Sequence, residues 1–366
     1  MAITRAFLNS QRYDESKGSI NNTYTSPIII NGDMGVTQRG DQTGVTAEKY
    51  TTADRFVANI ANLGTWAFSS STDTPGFGFG KSLKIDCTTA DGSPGSGDNM
   101  YLTQVIEGQN LQMMRKGTAS AKTSTLAYWI KSNKTGNYVV ELWDRTNDRH
   151  VGKVATISQA DTWEKHVCNF PADTSGALAN TNARSIMVSW AFDSGSNFTS
   201  GTLPSAWGSR SDANRFVGTT LALGNSTDNE VLITGIQFEM GTYDSETMPP
   251  FKFEDAATSL ARCQRYLQIY TQPPLIGSAN ANNTMARASF SLVQEMRTGA
   301  TATQSGTFSW FYSNSHQPTS TAFSATYTDT NVFEADITVS GTGMTATHPC
   351  SVFQSGTASL KLEAEL

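Results

Sequence analysis

Thr123-Ser124-Thr125-Leu126-Ala127-Tyr128-Trp129-Ile130 and Asn137-Tyr138-Val139-Val140-Glu141-Leu142-Trp143 decide the fold class. In the first stretch Leu126, Tyr128 and Ile130 share a face; in the second Tyr138, Val140 and Leu142 do. A period of two is the pattern of antiparallel strands packed on one side. Between them Lys131-Ser132-Asn133-Lys134-Thr135-Gly136 is a polar loop ending in glycine. The same texture recurs at Leu83 to Cys87, Tyr101 to Ile106, Trp163 to Phe170, Ser185 to Phe192 and Val231 to Phe238. Ile28-Ile29-Ile30, stopped by the turn signal Asn31-Gly32-Asp33, opens the series. No long helix intervenes, so residues 28–250 read as an antiparallel jelly roll or β-sandwich.

Composition agrees. Of 366 residues, 16% are charged, against ~25% in an average soluble protein. Ser, Thr, Asn and Gly fill the gap, as suits turns and exposed strand faces. No heptads run through the chain, which excludes coiled coils, and 38% apolar residues exclude charge-driven disorder. The net charge of −6 argues against nucleic acid as a partner, because phosphate binding needs a basic surface. No stretch approaches the ~20 apolar residues of a membrane span, and no signal peptide opens the chain, so no membrane insertion is expected. Cys87, Cys168, Cys263 and Cys350 are scattered, without the spacing of a zinc site, and are expected to be free and buried.

After Met248-Pro249-Pro250 one helix is expected over 251–270. Glu254-Asp255 would lie at its positive end, and Leu260, Cys263, Leu267 and Tyr270 recur near the helical period before Pro273-Pro274. Strands resume at Ala286 to Val293, Thr307 to Tyr312, Phe323 to Tyr327, Phe333 to Val339 and Ala358 to Glu365, giving a second, smaller β-sandwich over 271–366. No fixed repeat is visible, which weakens a β-helix or propeller reading.

Enzyme motifs are absent: there is no GxSxG, HExxH, GxGxxG or GxxxxGK[ST]. Gly76-Phe77-Gly78-Phe79-Gly80 leads into a strand, not a helix, and reads as a plain loop. His150 and His166 are placed to meet across a sheet, without a nucleophile beside them. Asp144, Asp148, Asp161 and Asp173 lie in or next to turns, where Asp bonds its own backbone; a calcium site built from loop carboxylates is the competing reading. No other cofactor is implied. Seven tryptophans stand out in a low-charge β protein. Trp129 and Trp143 face away from the apolar rows of their strands, and are the candidates for stacking on the C–H face of a sugar.

Three patterns then resemble a known group. Asn31-Gly32-Asp33-Met34-Gly35-Val36-Thr37-Gln38-Arg39-Gly40, followed by Tyr50-Thr51-Thr52-Ala53-Asp54-Arg55-Phe56, resembles the opening of many tailed-bacteriophage fibre and virion structural proteins, with Phe56 where Trp is usual. Ile236-Gln237-Phe238-Glu239-Met240-Gly241 and then Pro250-Phe251-Lys252-Phe253 resemble the last strand of their carbohydrate-binding-module-like jelly roll. Arg262-Cys263-Gln264-Arg265-Tyr266 resembles the "CQRY" helix that opens their C-terminal domain, and Leu362-Glu363-Ala364-Glu365-Leu366 resembles its last strand. The resemblance spans 31–366. It implies a virion structural protein, often a trimeric fibre, whose distal domain meets the host surface, and it does not imply catalysis; with the aromatic supply, the expected reading is a non-enzymatic tail fibre that attaches to a host-surface glycan. A head decoration, knob or head-fibre protein is the alternative within virions, and a surface-glycan depolymerase is the alternative from another class.

Residues 1–27 are too few to form a core and read as a virion-attachment arm. Ile3, Phe7, Leu8, Tyr13, Ile20 and Tyr24 are its apolar anchors, for a tail adaptor, nozzle or capsid protein. The long N-terminal tail-attachment domain of the resembling proteins is not seen in this stretch. The expected location is the virion, assembled in the host cytoplasm.

Overall fold

The structure, a computed structural model, describes residues 12–14, 19–21, 26–279, 285–312, 315–317, 320–339, 348–354 and 358–366. The protein is all-β, and every strand pairing among the described residues that involves 26–366 is antiparallel. Two sheets face each other in the larger part. A seven-stranded sheet runs in the order Gly208–Ser209, Arg149–Ile157, Gly136–Asp144, Arg184–Ser194, Asn99–Glu107, Val57–Ala61, Lys49–Tyr50. A six-stranded sheet runs in the order Glu164–Phe170, Ser124–Ser132, Glu230–Met240, Ser82–Thr89, Thr65–Ser71, Gln42–Val45. One apolar core, from Ile28 to Phe238, fills the space between them.

The two strands that reveal the fold class do not pair with each other. Ser124–Ser132 pairs with Glu164–Phe170 and Glu230–Met240, whereas Gly136–Asp144 pairs with Arg149–Ile157 and Arg184–Ser194. The chain crosses from one sheet to the other between them. Its polar loop bonds the start of the strand Glu230–Met240 instead of closing a hairpin: Ser132 Oγ donates to the Glu230 carbonyl at 2.6 Å, and Glu230 N donates to Asn133 Oδ1 at 3.0 Å. The two apolar rows therefore meet from opposite sides of the core, where the hydroxyls of Tyr128 and Tyr138 lie 2.6 Å apart.

Ile28–Ile30 is not a strand. The three isoleucines are buried in a turn whose backbone is held by a side chain: Ile30 N donates to Gln104 Oε1, and Gln104 Nε2 donates back to the Ile30 carbonyl, both at 2.9 Å. The helix is shorter than its sequence pattern, covering Ala256–Gln264. Asp255 caps it, accepting from Thr258 N at 3.0 Å. Leu267 and Tyr270, expected on that helix, belong instead to the strand Leu267–Tyr270, which pairs with Ser359–Glu363. A ladder partner almost a hundred residues away, with Ile269 and Tyr270 suited to a strand, outweighs a local helical period. Of the expected apolar stripe only Cys263 is buried on the helix; Leu260 is exposed.

The C-terminal strands form a three-stranded and a seven-stranded sheet around a second core, from Leu275 to Ala364. Ala286, Ala288 and Phe290 point in, while Arg287, Ser289 and Ser291 point out. All four cysteines are free and buried. Among the described residues no helix is long and apolar enough to cross a membrane.

The motifs that carry the resemblance converge where the two cores meet. Asn31 holds left-handed backbone (φ 60°), and its side chain bonds Val36 and Asp54. Gly32 must be glycine, because a Cβ there would lie 2.2 Å from the Ile236 carbonyl oxygen. Gln38 donates to both oxygens of Asp54 and to the Leu267 carbonyl. Arg39 reaches Glu363 at 3.1 Å and Glu365 at 2.9 Å. Arg55 pairs with Glu365, donates to the Val105 carbonyl at 2.9 Å and lies 3.5 Å over the Tyr266 ring. Tyr266 donates to Glu107 at 2.5 Å, and Arg265 reaches the same carboxylate at 3.2 Å. Cys263 and Tyr266 pack on Ile30.

Two predictions follow from this junction. Arg55→Met would leave one oxygen of the buried Glu365 and the Val105 carbonyl without their donor while Arg39 stays on Glu365, so it should destabilise the protein by ~3 kcal/mol, the lower end for a broken buried pair, in a denaturant titration. An exposed salt bridge would give ~1 kcal/mol or less, which would place Arg55 outside the buried network. Burial, against the Gln38 bonds and the Arg39 charge, pushes the Asp54 carboxyl up to about 6. A raised carboxyl pKa means the native state binds the proton more tightly. The Asp54 contribution is thus fully present below about pH 4 and lost as the pH rises through about 6. Relative to Asp54→Asn, wild-type stability should fall by ~2–3 kcal/mol between pH 4 and pH 7. A pH-independent difference between the two proteins would refute this.

Candidate functional site: aromatic surfaces of the sandwich

Trp129 sits on the outer face of the six-stranded sheet, half-buried. Its ring is covered by Phe77, stacked at 5.2 Å between centroids and 20° between planes. Phe77 belongs to the glycine-rich stretch read from sequence as a plain loop. Gly76 (φ 82°), Phe77 (φ 53°) and Gly78 (φ 91°) are all left-handed. For a bulky residue that conformation costs ~1–3 kcal/mol, yet Phe77 is 74% exposed and gains little burial in return. The loop lays its second ring, Phe79, against Phe251 and Phe253, each 5.0 Å away. Gly235 makes room, since a Cβ there would lie 2.7 Å from Phe79 and 3.0 Å from Trp129.

Polar groups flank the stack. Lys131 lies two residues beyond Trp129 on the same strand face, and its ammonium is 2.7 Å from Asp73. Trp163 Nε1 donates to the other oxygen of Asp73 at 2.9 Å. The bonds from Lys131 and then Trp163 hold the Asp73 carboxyl below the usual carboxylate range. The stacked rings and the Asp73–Lys131–Trp163 cluster thus share the outer face of the six-stranded sheet, with Lys131 two residues from Trp129. Of this group only Trp129 was singled out from the sequence. Two phenylalanines set between three glycines were the available signal for Phe77; the placement of Asp73, Lys131 and Trp163 on the same sheet face is tertiary.

Trp143 lies on the outer face of the seven-stranded sheet, also half-buried, while Tyr138 and Leu142 enter the core as expected. Guanidinium groups occupy its surroundings: Arg210 at 4.0 Å, Arg145 at 4.5 Å and Arg215 at 5.2 Å from the ring centroid. Trp143 Nε1 donates to Asp148 at 3.2 Å. Beneath it Glu141 is fully buried, bonded by His150 Nδ1 at 2.8 Å and Arg215 at 2.9 Å. Burial alone would raise the Glu141 carboxyl; the Arg215 charge and the His150 bond override it and hold it low. The structure thus brings Trp143 together with arginines and leaves it a less open ring than Phe77. Trp66, Trp190 and Trp207 are buried in the core.

His150 and His166 do not meet. His150 serves Glu141, whereas His166 Nδ1 lies 2.6 Å from the Tyr138 hydroxyl and its Nε2 3.0 Å from Glu164. The four aspartates do not gather either. Asp148 and Asp161 are exposed, and Asp144 and Asp173 are buried around Lys116, whose ammonium lies 2.6 and 3.0 Å away. The carbonyls of Ser175 and Gly176 complete its shell at 3.1 and 2.9 Å. A lysine therefore supplies the cation between these carboxylates, and among the described residues no group of three or more metal-binding side chains is found. Of the arm residues, Tyr13 and Ile20 are opposite each other in a two-stranded pairing of Arg12–Asp14 with Ser19–Asn21. Ile3, Phe7, Leu8 and Tyr24 lie outside the described residues.

No protein-family model matches the chain, and no curated protein does. Solved structures do. The enzymatically active domain of tailspike protein 4 of bacteriophage CBA120 is 11% identical over 58% of this chain and 21% of its own length, with a TM-score of 0.29. The chain therefore spans about a fifth of that protein. The family 11 carbohydrate-binding module from Clostridium thermocellum, in complex with a mixed-linked tetrasaccharide, is 8% identical over 56% of this chain and 98% of its own, with a TM-score of 0.27. The xylan-binding CBM22-1 domain from Paenibacillus barcinonensis is 8% identical over 60% of this chain and 97% of its own, with a TM-score of 0.28.

Proposed function

We propose that this chain is a non-enzymatic virion appendage, a tail fibre or a similar structure, that attaches to a host-surface glycan through the Phe77 ledge. One observation carries the glycan reading: Phe77 is held in a costly backbone conformation, exposed and stacked on Trp129, on the sheet face that also carries the Asp73–Lys131–Trp163 cluster. An exposed flat ring suits the apolar face of a sugar, and the flanking carboxylate and ammonium suit its hydroxyls. Left-handed backbone at an exposed aromatic is strain of the kind that collects at binding sites. The appendage reading rests on the ordered motifs from Asn31 to Leu366. The chain assembles as a homotrimer, in which three weak sites gain avidity on a repetitive surface. The N-terminal arm, 1–27, joins it to a neighbouring virion protein.

Because Phe77 is exposed, Phe77→Ala should leave folding intact and weaken binding to host cells or their purified surface glycan about tenfold or more. Unchanged binding by the variant would remove Phe77 from the site, and release of shortened glycan by the wild type would make the protein a depolymerase. A chain lacking residues 1–25 should keep the trimeric mass of the full chain and fail to join particles. A monomeric full chain at micromolar concentration would defeat the trimer, and normal incorporation of the truncated chain would defeat the arm.

A further inference from the structure

A recess of about 310 Å³ opens at the junction of the two cores, lined by Arg39, Gln42, Lys49 and Tyr50 from the sandwich and by Ile269, Lys361 and Glu363 from the C-terminal strands. Its size sits at the lower end of the range for small-molecule sites, which occur preferentially between domains. The charge of its walls runs against that of the chain. Three cationic side chains face one carboxylate, in a protein with 26 basic and 32 acidic residues. That carboxylate, Glu363, is already bonded by Lys361 at 2.9 Å and by Arg39 at 3.1 Å. Arg39 is also held by Glu365, and its second amino nitrogen is ion-paired with Asp54 at 3.8 Å, beyond hydrogen-bond reach. Lys49 is exposed and has no carboxylate within ion-pair distance among the described residues. Tyr50 and Ile269 add apolar wall, and the Gln42 amide is turned back to the carbonyls of Arg39 and Gly40.

We infer that this recess binds a compact organic anion, a sugar acid or a sugar phosphate, with its charged group on Lys49 and Lys361 and its body against Tyr50 and Ile269. The site is separate from the Phe77 ledge and does not depend on that reading. An acceptor with several oxygens satisfies the uncommitted ammonium and shares Lys361 with Glu363; a charged hydrogen bond of this type is about twice as strong as a neutral one. Both structural units contribute walls, so the ligand ties them together and raises the unfolding temperature by mass action.

The test is thermal unfolding and calorimetric titration of the full chain with glucuronate, glucose 6-phosphate, glucose and inorganic phosphate, at matched ionic strength. Either organic anion should raise the unfolding temperature, and neutral glucose should not. The exposed Lys49 permits a folding-neutral variant: Lys49→Met should keep the ligand-free unfolding temperature and lose about tenfold or more in affinity. No shift with either organic anion, or full retention of affinity by Lys49→Met, overturns the site. A shift with inorganic phosphate equal to that with glucose 6-phosphate overturns the assignment of a sugar body. Phe77→Ala should bind the anion as the wild type does, which keeps this result distinct from that of the glycan test.

Discussion

Two buried carboxylates, Glu107 and Glu365, organise the meeting of the two cores. Glu107 has no exposed surface, and Glu365 is the last residue but one of the described chain. Between them they engage Arg39, Arg55, Arg265 and the Tyr266 hydroxyl. Taking such charges out of water costs several kcal/mol each, and the arrangement holds only because nearly every oxygen meets a donor. The pairing is therefore demanding in geometry. It holds Arg55, whose backbone is left-handed (φ 74°), and it holds Arg265 and Tyr266 between the helix Ala256–Gln264 and the strand Leu267–Tyr270.

The same constraint accounts for the charged residues of the motifs that meet at this junction. Gln38, Arg39, Asp54, Arg55, Arg265, Tyr266, Glu363 and Glu365 are scattered over most of the sequence, yet they build one network. Burial works against the Arg55 charge, and Glu365 overrides it and holds the guanidinium firmly protonated. Side chains so committed are poor choices for binding an exchanging ligand. Phe77, on one sheet face, and Lys49, at the mouth of the junction, stand outside this network.

Lys116 shows the same economy within the sandwich. Asp144 and Asp173 sit in turns, as their residue type favours, but their side chains turn inward to share one ammonium. A sequence gives no means of distinguishing such a pair from the beginnings of a metal site. The deciding residue stands 28 positions from Asp144 and belongs to a separate loop.

The amino-acid sequence by itself determined the all-β class. Alternation at Leu126, Tyr128 and Ile130 and at Tyr138, Val140 and Leu142 dictates which side chains enter the core between the sheets, whatever the strands pair with; Val139 and Glu141, on the opposite face, are buried by Phe216 and Arg215 from a later segment. The sequence also supplied the cap, Asp255, although the helical stretch read from it, 251–270, outruns the helix Ala256–Gln264 at both ends. Only the tertiary structure decided that those two strands lie in different sheets, that Leu267–Tyr270 leaves the helix for Ser359–Glu363, and that Phe77 rather than Trp129 presents its ring. The physical reason is range. Periodicity and capping act between residues a few positions apart, whereas ladder partners, buried charges and the stacking of Phe77 on Trp129 join groups that the sequence keeps tens to hundreds of residues apart.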